Sequence, residues 1–164
     1  GKGFADGINA VIFLMHKPVG QGERENMLTL DGSLLKDFCE LVNSSKQPFK
    51  IGFDSCSVPM IVNDCPNIAK VTLDTCEGGR YSCYISSEMV MSPCSFDRDE
   101  KYGVSLRGKT IQEAWDSPQF EAFRKSLRYS CLDCSDREYC MGVCPLVPDI
   151  ALCRSVHKQQ LYAD

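Results

Sequence analysis

The stretch Cys131-Leu132-Asp133-Cys134-Ser135-Asp136-Arg137-Glu138-Tyr139-Cys140-Met141-Gly142-Val143-Cys144-Pro145 decides how this chain is read. Its four cysteines stand at spacings of x2, x5 and x3. Spacings this short let one loop wrap several thiolates around a metal centre, and zinc and iron–sulfur clusters are both held that way. Spacing alone leaves the two open.

Working outward, three cysteines precede that run, Cys76, Cys83 and Cys94, and Cys153 follows it. Cys39, Cys56 and Cys65 complete a total of 11 in 164 residues. That is about 7%, short of the fraction that marks a small disulfide scaffold. The total is odd, so the cysteines cannot all pair within one chain. A chain of 18.3 kDa buries a core without staples, which leaves metal binding as the better use of so many thiols. The final Cys-x3-Cys-Pro resembles the end of bacterial ferredoxin runs, where the last cysteine ligates a different cluster from its neighbours. Cys144 therefore need not share a centre with the three before it.

Composition removes several classes of function. The net charge is −4 and is spread along the chain, so a basic nucleic-acid footprint is missing and no nucleic-acid partner is expected. The apolar run from Ala10 to Met15 is far shorter than the ~20 residues that span a membrane. The first residues contain one Lys and no apolar core of a signal peptide. A cytoplasmic location follows as the expectation, and there free thiols and metal ligands are favoured over disulfides.

The first third reads as strand, helix, strand. Val11 to Met15 has no alternation, as in a parallel strand covered on both faces. Leu34, Leu35, Phe38, Leu41 and Val42 recur at helical offsets, and Phe49 to Asp54 is a second short strand. One β-α-β unit is a piece of an α/β sheet whose edges need partners. Further on, Tyr81–Ser86 and Met89–Ser92 read as a hairpin, with Ser87-Glu88 a poor two-residue turn. Thr110 with Glu113 is a capping-box pair. Ser117-Pro118 opens a second helix with Phe120, Phe123 and Leu127 on one face.

Together these motifs resemble the SPASM domain, the auxiliary iron–sulfur region at the C-terminal end of many radical S-adenosylmethionine enzymes. The resemblance rests on Cys76-x-Gly-Gly-Arg80, Ser92-Pro93-Cys94, Thr110-Ile-Gln-Glu-Ala-Trp115-Asp-Ser-Pro118, the x2-x5-x3 run and Cys153. It implies two [4Fe–4S] clusters. Cys131, Cys134, Cys140 and Cys153 would hold one. Cys76, Cys94 and Cys144 would hold the other, with a further ligand or an open site. Cys83 is the candidate for that fourth ligand and Cys65 the alternative. The fold implied is α/β. Residues 1–66 would be the last β/α units of a partial TIM-like barrel, and residues 67–164 a small cysteine-rich α+β SPASM domain with a hairpin.

The function implied is auxiliary-cluster electron transfer or substrate positioning within an enzyme that modifies a peptide or protein. Its partners would be that substrate, an electron donor or acceptor, and the missing N-terminal half of the barrel. Three departures bear on this. Met89 stands where the family usually has Gly, and Ser95 where sulfatase-maturating members have a catalytic Asp, with Asp97 two positions on. No Cys-x3-Cys-x2-Cys loop is present, and Val147 stands where a cysteine would complete one after Cys140 and Cys144. The chain alone is therefore expected not to cleave S-adenosylmethionine, which would bind only in the intact enzyme. It reads as the C-terminal part of a longer protein. The rival is a stand-alone module stapled by zinc or a cluster, without catalysis. A small electron carrier of ferredoxin type is a third, weaker option, for which the aromatic helices and the β-α-β opening are more than is needed.

Other residues have plainer readings. Cys39 is expected in the core among helix neighbours, whereas Cys56 and Cys65 are either core or face a substrate. His16 reads as a hydrogen-bonded edge histidine and His157 as a tail residue. Trp115, Phe120 and Phe123 read as core packed against the cluster loops, and Arg80 and Arg98 as solvated charge. Val19-Gly20-Gln21-Gly22 lacks the residues of a phosphate loop.

Overall fold

The computed structural model describes residues 7–29, 33–44, 49–129, 131–142, 144–150 and 152–153. The N-terminal unit is strand β1 (Ala10–Phe13), helix α1 (Ser33–Ser44) and strand β2 (Lys50–Phe53). β1 and β2 pair in parallel, with Val11 opposite Ile51 and Phe13 opposite Phe53. A parallel pair needs a crossover, and α1 supplies it. On α1, Leu35, Cys39 and Val42 are buried at i, i+4 and i+7, and Phe38 meets Phe13 edge-on with ring centroids 5.0 Å apart.

The expectation of a strand covered on both faces is not met. Met15 is buried, but Ile12 and Leu14 are 57% and 73% exposed. A sheet of two strands packs one face on its helix, so burial alternates along β1 although the sequence does not. Leu34 and Leu41 on α1 also point to solvent. Among the described residues there is no larger parallel sheet, and the architecture is that of a small mixed α/β protein.

After β2, a 3₁₀ turn (Ser55–Ser57) leads into helix α2 (Val58–Asp64), with Pro59 in its first turn. The next sheet is antiparallel, in the order β3 (Tyr84–Ile85), β4 (Val90–Ser92) and β5 (Val104–Ser105). The hairpin expected over 81–92 is present, with the third strand added to it. Its connection is longer than the two residues read from sequence. The Ser86 amide donates to Val90 O at 2.9 Å and the Met89 amide to Ser86 O at 3.1 Å. Met89 has φ 64°, the left-handed conformation that favours glycine.

Helix α3 (Ile111–Trp115) starts at the predicted capping box, where the Glu113 amide donates to Thr110 Oγ1 and the Thr110 amide donates to Glu113 Oε2. Helix α4 (Pro118–Tyr129) begins where Ser117 Oγ accepts from the Phe120 amide. Phe120 packs with Met91, Val104, Leu106 and Ala114, while Phe123 packs with Tyr102. The core role read for these aromatics holds. The side chain of Leu127 and all of His157 lie outside the described residues. A short helix α5 (Arg137–Cys140) follows.

One core cluster joins the two ends of the chain. Met15, Leu35, Cys39, Met60, Ile61 and Cys65 share it with Val147, Ile150 and Leu152. The segment that carries Cys144 and Cys153 is thus laid against the N-terminal β-α-β unit.

Candidate metal centre

The first group of thiols forms where Cys76 and Cys94 approach Cys144. Cys76 opens a tight turn in which the Arg80, Tyr81 and Ser82 amides all donate to Glu77 O. Gly79 has φ 65°, and a Cβ there would stand 3.0 Å from Pro93 Cβ and 3.1 Å from Phe123 Cδ1. The two glycines therefore let the Cys76 turn lie directly against Pro93, which holds Cys94, and against Phe123. Arg124 clamps the turn from α4. Its Nε donates to Gly79 O at 2.6 Å, its other guanidinium end donates to Trp115 O at 2.9 Å, and it stacks 5.0 Å from the Trp115 ring.

Cys76, Cys94 and Cys144 are all half-buried. Burial pushes the Cys76 and Cys94 thiols up, and the charge of Cys144 adds to both. Backbone amides in the Gly78 and Phe96 turns work the other way. Arg80, read from sequence as solvated charge, is half-buried and close enough to Cys76 to favour its thiolate.

The second group forms around α5. The Cys134 amide donates to Cys131 O, and the Cys140 amide to Asp136 O. Met141 and Gly142, both at positive φ, turn the chain sharply after Cys140. Burial pushes the Cys140 thiol up to about 12, with further contributions from Cys131, Cys153 and Cys134. Cys153 is buried, and Asn63 of α2 donates to its sulfur at 3.7 Å. An ion pair between Lys70 and Asp136 ties the loop to the preceding 3₁₀ turn (Lys70–Thr72). Cys76 and Cys94 thus lie near Cys144, and Cys140 lies near Cys131, Cys134 and Cys153, while Cys83, expected with the first set, is exposed. Among the described residues, no three His, Cys, Asp or Glu side chains converge on the position of a single ion.

The remaining cysteines separate clearly. Cys83 is exposed at the rim of a cleft of about 620 Å³ that Cys76 and Cys94 also line. Cys65 is buried with its sulfur 3.0 Å from that of Cys39, inside the N-terminal core. Cys39 is in the core as expected. Cys56 lines the cleft beside Lys17 and Asp54, whose charges pair at 2.6 Å. Burial pushes the Cys56 thiol up to about 12, the Lys17 charge opposes this, and Cys144 and Cys76 are among its charged neighbours. Sequence reasoning left Cys56 ambiguous and gave Lys17 no role. The signal available was position, since both follow the C-terminal ends of the parallel strands.

Asp97 is buried and accepts from the Tyr102 amide at 2.9 Å, so it fixes the loop between β4 and β5. A ring nitrogen of His16 pairs with Glu23 O at 2.9 Å, as an edge histidine would, and Arg98 is exposed.

The donors fit a soft-metal group. Both sets consist of sulfur with no carboxylate among them, which suits iron–sulfur clusters or zinc and disfavours hard cations. Residues 76–135 match the SPASM family model, an iron-sulfur cluster-binding domain. That stretch is thus similar to an iron–sulfur cluster-binding domain, and Cys140, Cys144 and Cys153 lie beyond it. No curated protein and no solved structure matches the chain significantly. Among the described residues, no helix is long and apolar enough to cross a membrane.

Proposed function

We propose that this chain is the auxiliary-cluster region of a radical S-adenosylmethionine enzyme acting on a peptide or protein in the cytoplasm. Cys131, Cys134, Cys140 and Cys153 hold one [4Fe–4S] cluster, and Cys76, Cys94 and Cys144 hold a second. The observation that carries this reading is the partition of seven cysteines into two groups around one x2-x5-x3 run, joined to the SPASM match. The exposed Ile12 on a two-stranded parallel sheet supports further β/α units of a partial barrel packing there.

The clusters supply one-electron chemistry. The protein contributes low-dielectric burial, backbone amides beside Cys76, Cys94 and Cys140, and the Arg80 and Lys17 charges, all of which shift a cluster's potential. The open cleft beside Cys76 and Cys94 has room for part of a peptide chain, with Tyr84 and Phe96 as apolar contacts and Asp74 and Glu77 as polar ones.

The test is anaerobic purification and reconstitution of the whole chain, followed by iron and sulfide analysis. The expected content is about eight of each per chain, two four-iron clusters. Four or fewer of each would remove the two-cluster assignment. Stoichiometric zinc that resists exchange would favour the metal-stapled module instead.

A further inference from the structure

We propose that Cys56 is the fourth protein ligand of the cluster held by Cys76, Cys94 and Cys144. The inference rests on the reading that those three cysteines hold a cluster.

The placement of Cys56 carries it. The residue sits in the 3₁₀ turn that follows β2, and that turn is held by its own hydrogen bonds. Asp54 caps it by accepting from the Ser57 amide at 3.1 Å, while Ser57 Oγ donates back to Asp54 O at 2.6 Å. Cys56 therefore has a fixed backbone from which to present its sulfur. It lines the same cleft as Cys76 and Cys94, and it packs with Cys144 against one core cluster. All four thiols are half-buried, which suits a ligand reached by iron at one edge of a cleft.

The competing cysteines are placed less well. Cys83 lines the same cleft but is exposed at its rim. Cys65 is enclosed in the core against Cys39. Lys17 adds an electrostatic reason. Its ammonium group, anchored by Asp54 and 19% exposed, lies within reach of the Cys56 sulfur. A fixed cation there offsets the negative charge that a fourth thiolate brings to a buried cluster.

Ligation transfers no electron. The Cys56 thiol gives its proton to solvent and a sulfur lone pair to the remaining iron. Two consequences follow. The cluster has no protein-free iron at which substrate could bind, so its role is electron transfer. It also fastens the end of β2 to the SPASM loops, because Cys56 comes from the N-terminal unit.

The test compares the loaded chain with the same chain stripped by chelator. Both are treated anaerobically with iodoacetamide, and each cysteine is assigned by peptide mass mapping. In the loaded chain Cys56, Cys76, Cys94 and Cys144 are expected to be protected and Cys83 labelled, with Cys56 becoming labelled after stripping. Protection of Cys76, Cys94 and Cys144 with labelling of Cys56 overturns this proposal and leaves the two-cluster reading standing. Labelling of all four in the loaded chain overturns that reading itself.

A second measurement guards against protection of Cys56 by burial alone. In Cys56→Ala, the reduced cluster's paramagnetic resonance spectrum is expected to shift on adding imidazole, which enters the vacated iron position. The native chain and Cys83→Ala should not respond. A shift in the native chain, or in Cys83→Ala alone, overturns the proposal.

Discussion

Gly79, Gly108 and Met89 all hold left-handed backbone in the SPASM region, and their surroundings differ enough to isolate what the Cys76 turn requires. Gly79 at φ 65° is crowded by Pro93 and Phe123, whereas at Gly108, with φ 75°, an added Cβ would meet nothing within 4 Å. Gly108→Ala should therefore lose only the cost of a left-handed side chain, about 1–2 kcal/mol. Gly79→Ala should lose the same amount plus that of overpacking, a further ~1–3 kcal/mol. The extra methyl pushes against Pro93, next to Cys94, so iron content at the first centre should fall as well. Met89 sits at φ 64° with its side chain half exposed, so Met89→Gly should gain. Relief of about 1–2 kcal/mol is partly offset by ~0.4–1 kcal/mol of added freedom in the unfolded chain.

Trp115 is the single tryptophan and packs on Phe120 with ring centroids 5.6 Å apart, so its fluorescence reports unfolding of this region. The expected order of urea midpoints for the cluster-loaded chain, from highest to lowest, is Met89→Gly, native, Gly108→Ala, Gly79→Ala. Equal midpoints and equal iron content for the two alanine variants would refute the argument that close approach of Pro93 and Phe123 shapes the Cys76 turn.

Three further outcomes can be checked on the same preparations. The Glu113 carboxyl lies below its ordinary range because the Thr110 amide and then its hydroxyl donate to it. Its contribution is thus present above the ordinary pKa of 4.5 and lost as pH falls through the lowered value. Titration of the unfolding midpoint should show that loss in the native chain and not in Glu113→Gln, and Thr110→Ala should cost about 1 kcal/mol at neutral pH. The double change Cys39→Ala, Cys65→Ala removes a buried sulfur pair from the core, so stability should fall by about 1–3 kcal/mol with iron and sulfide counts unchanged. A drop by one cluster's iron would place that pair at a metal centre.

Local signals were legible wherever the sequence alone determines the geometry. The Thr110–Glu113 capping box, the Ser117-Pro118 helix start and the buried Phe120 and Phe123 need only short-range rules. The proposed cysteine partition comes from spacing and resemblance, and the chain turns sharply after Cys140. Met141 and Gly142 make that turn, but nothing about Met141 as a residue type announces a positive φ. Burial along β1 was not legible, since Val11 to Met15 are apolar throughout and the outer face of a strand follows from which sheet neighbours exist. The place of Cys56 was hidden for a similar reason. Cys56 and Cys76 line one cleft, and Cys56 packs on the core that Val147, Ile150 and Leu152 share with the N-terminal unit, a contact distant in sequence that no local pattern encodes.

That docking ties each thiol group to the N-terminal unit. Cys144 directly precedes the segment that enters the core, and its sulfur accepts from the Val147 amide at 3.4 Å. Cys153 follows Leu152 out of the same core and meets Asn63 of α2. One ligand of each proposed cluster is therefore positioned by packing against α1 and α2, while the others are positioned by the turns of the SPASM region. The division expected at residue 66 separates sequence motifs, whereas the apolar core runs across it. A perturbation of α2, such as Ile61→Ala, removes a fully buried side chain at a cost of about 2–5 kcal/mol, far from any thiol of the SPASM region in sequence. If the two centres depend on that docking, such a change loosens Cys144 and Cys153 together. The N-terminal unit is then a part of the cluster scaffold as much as of the sheet it begins.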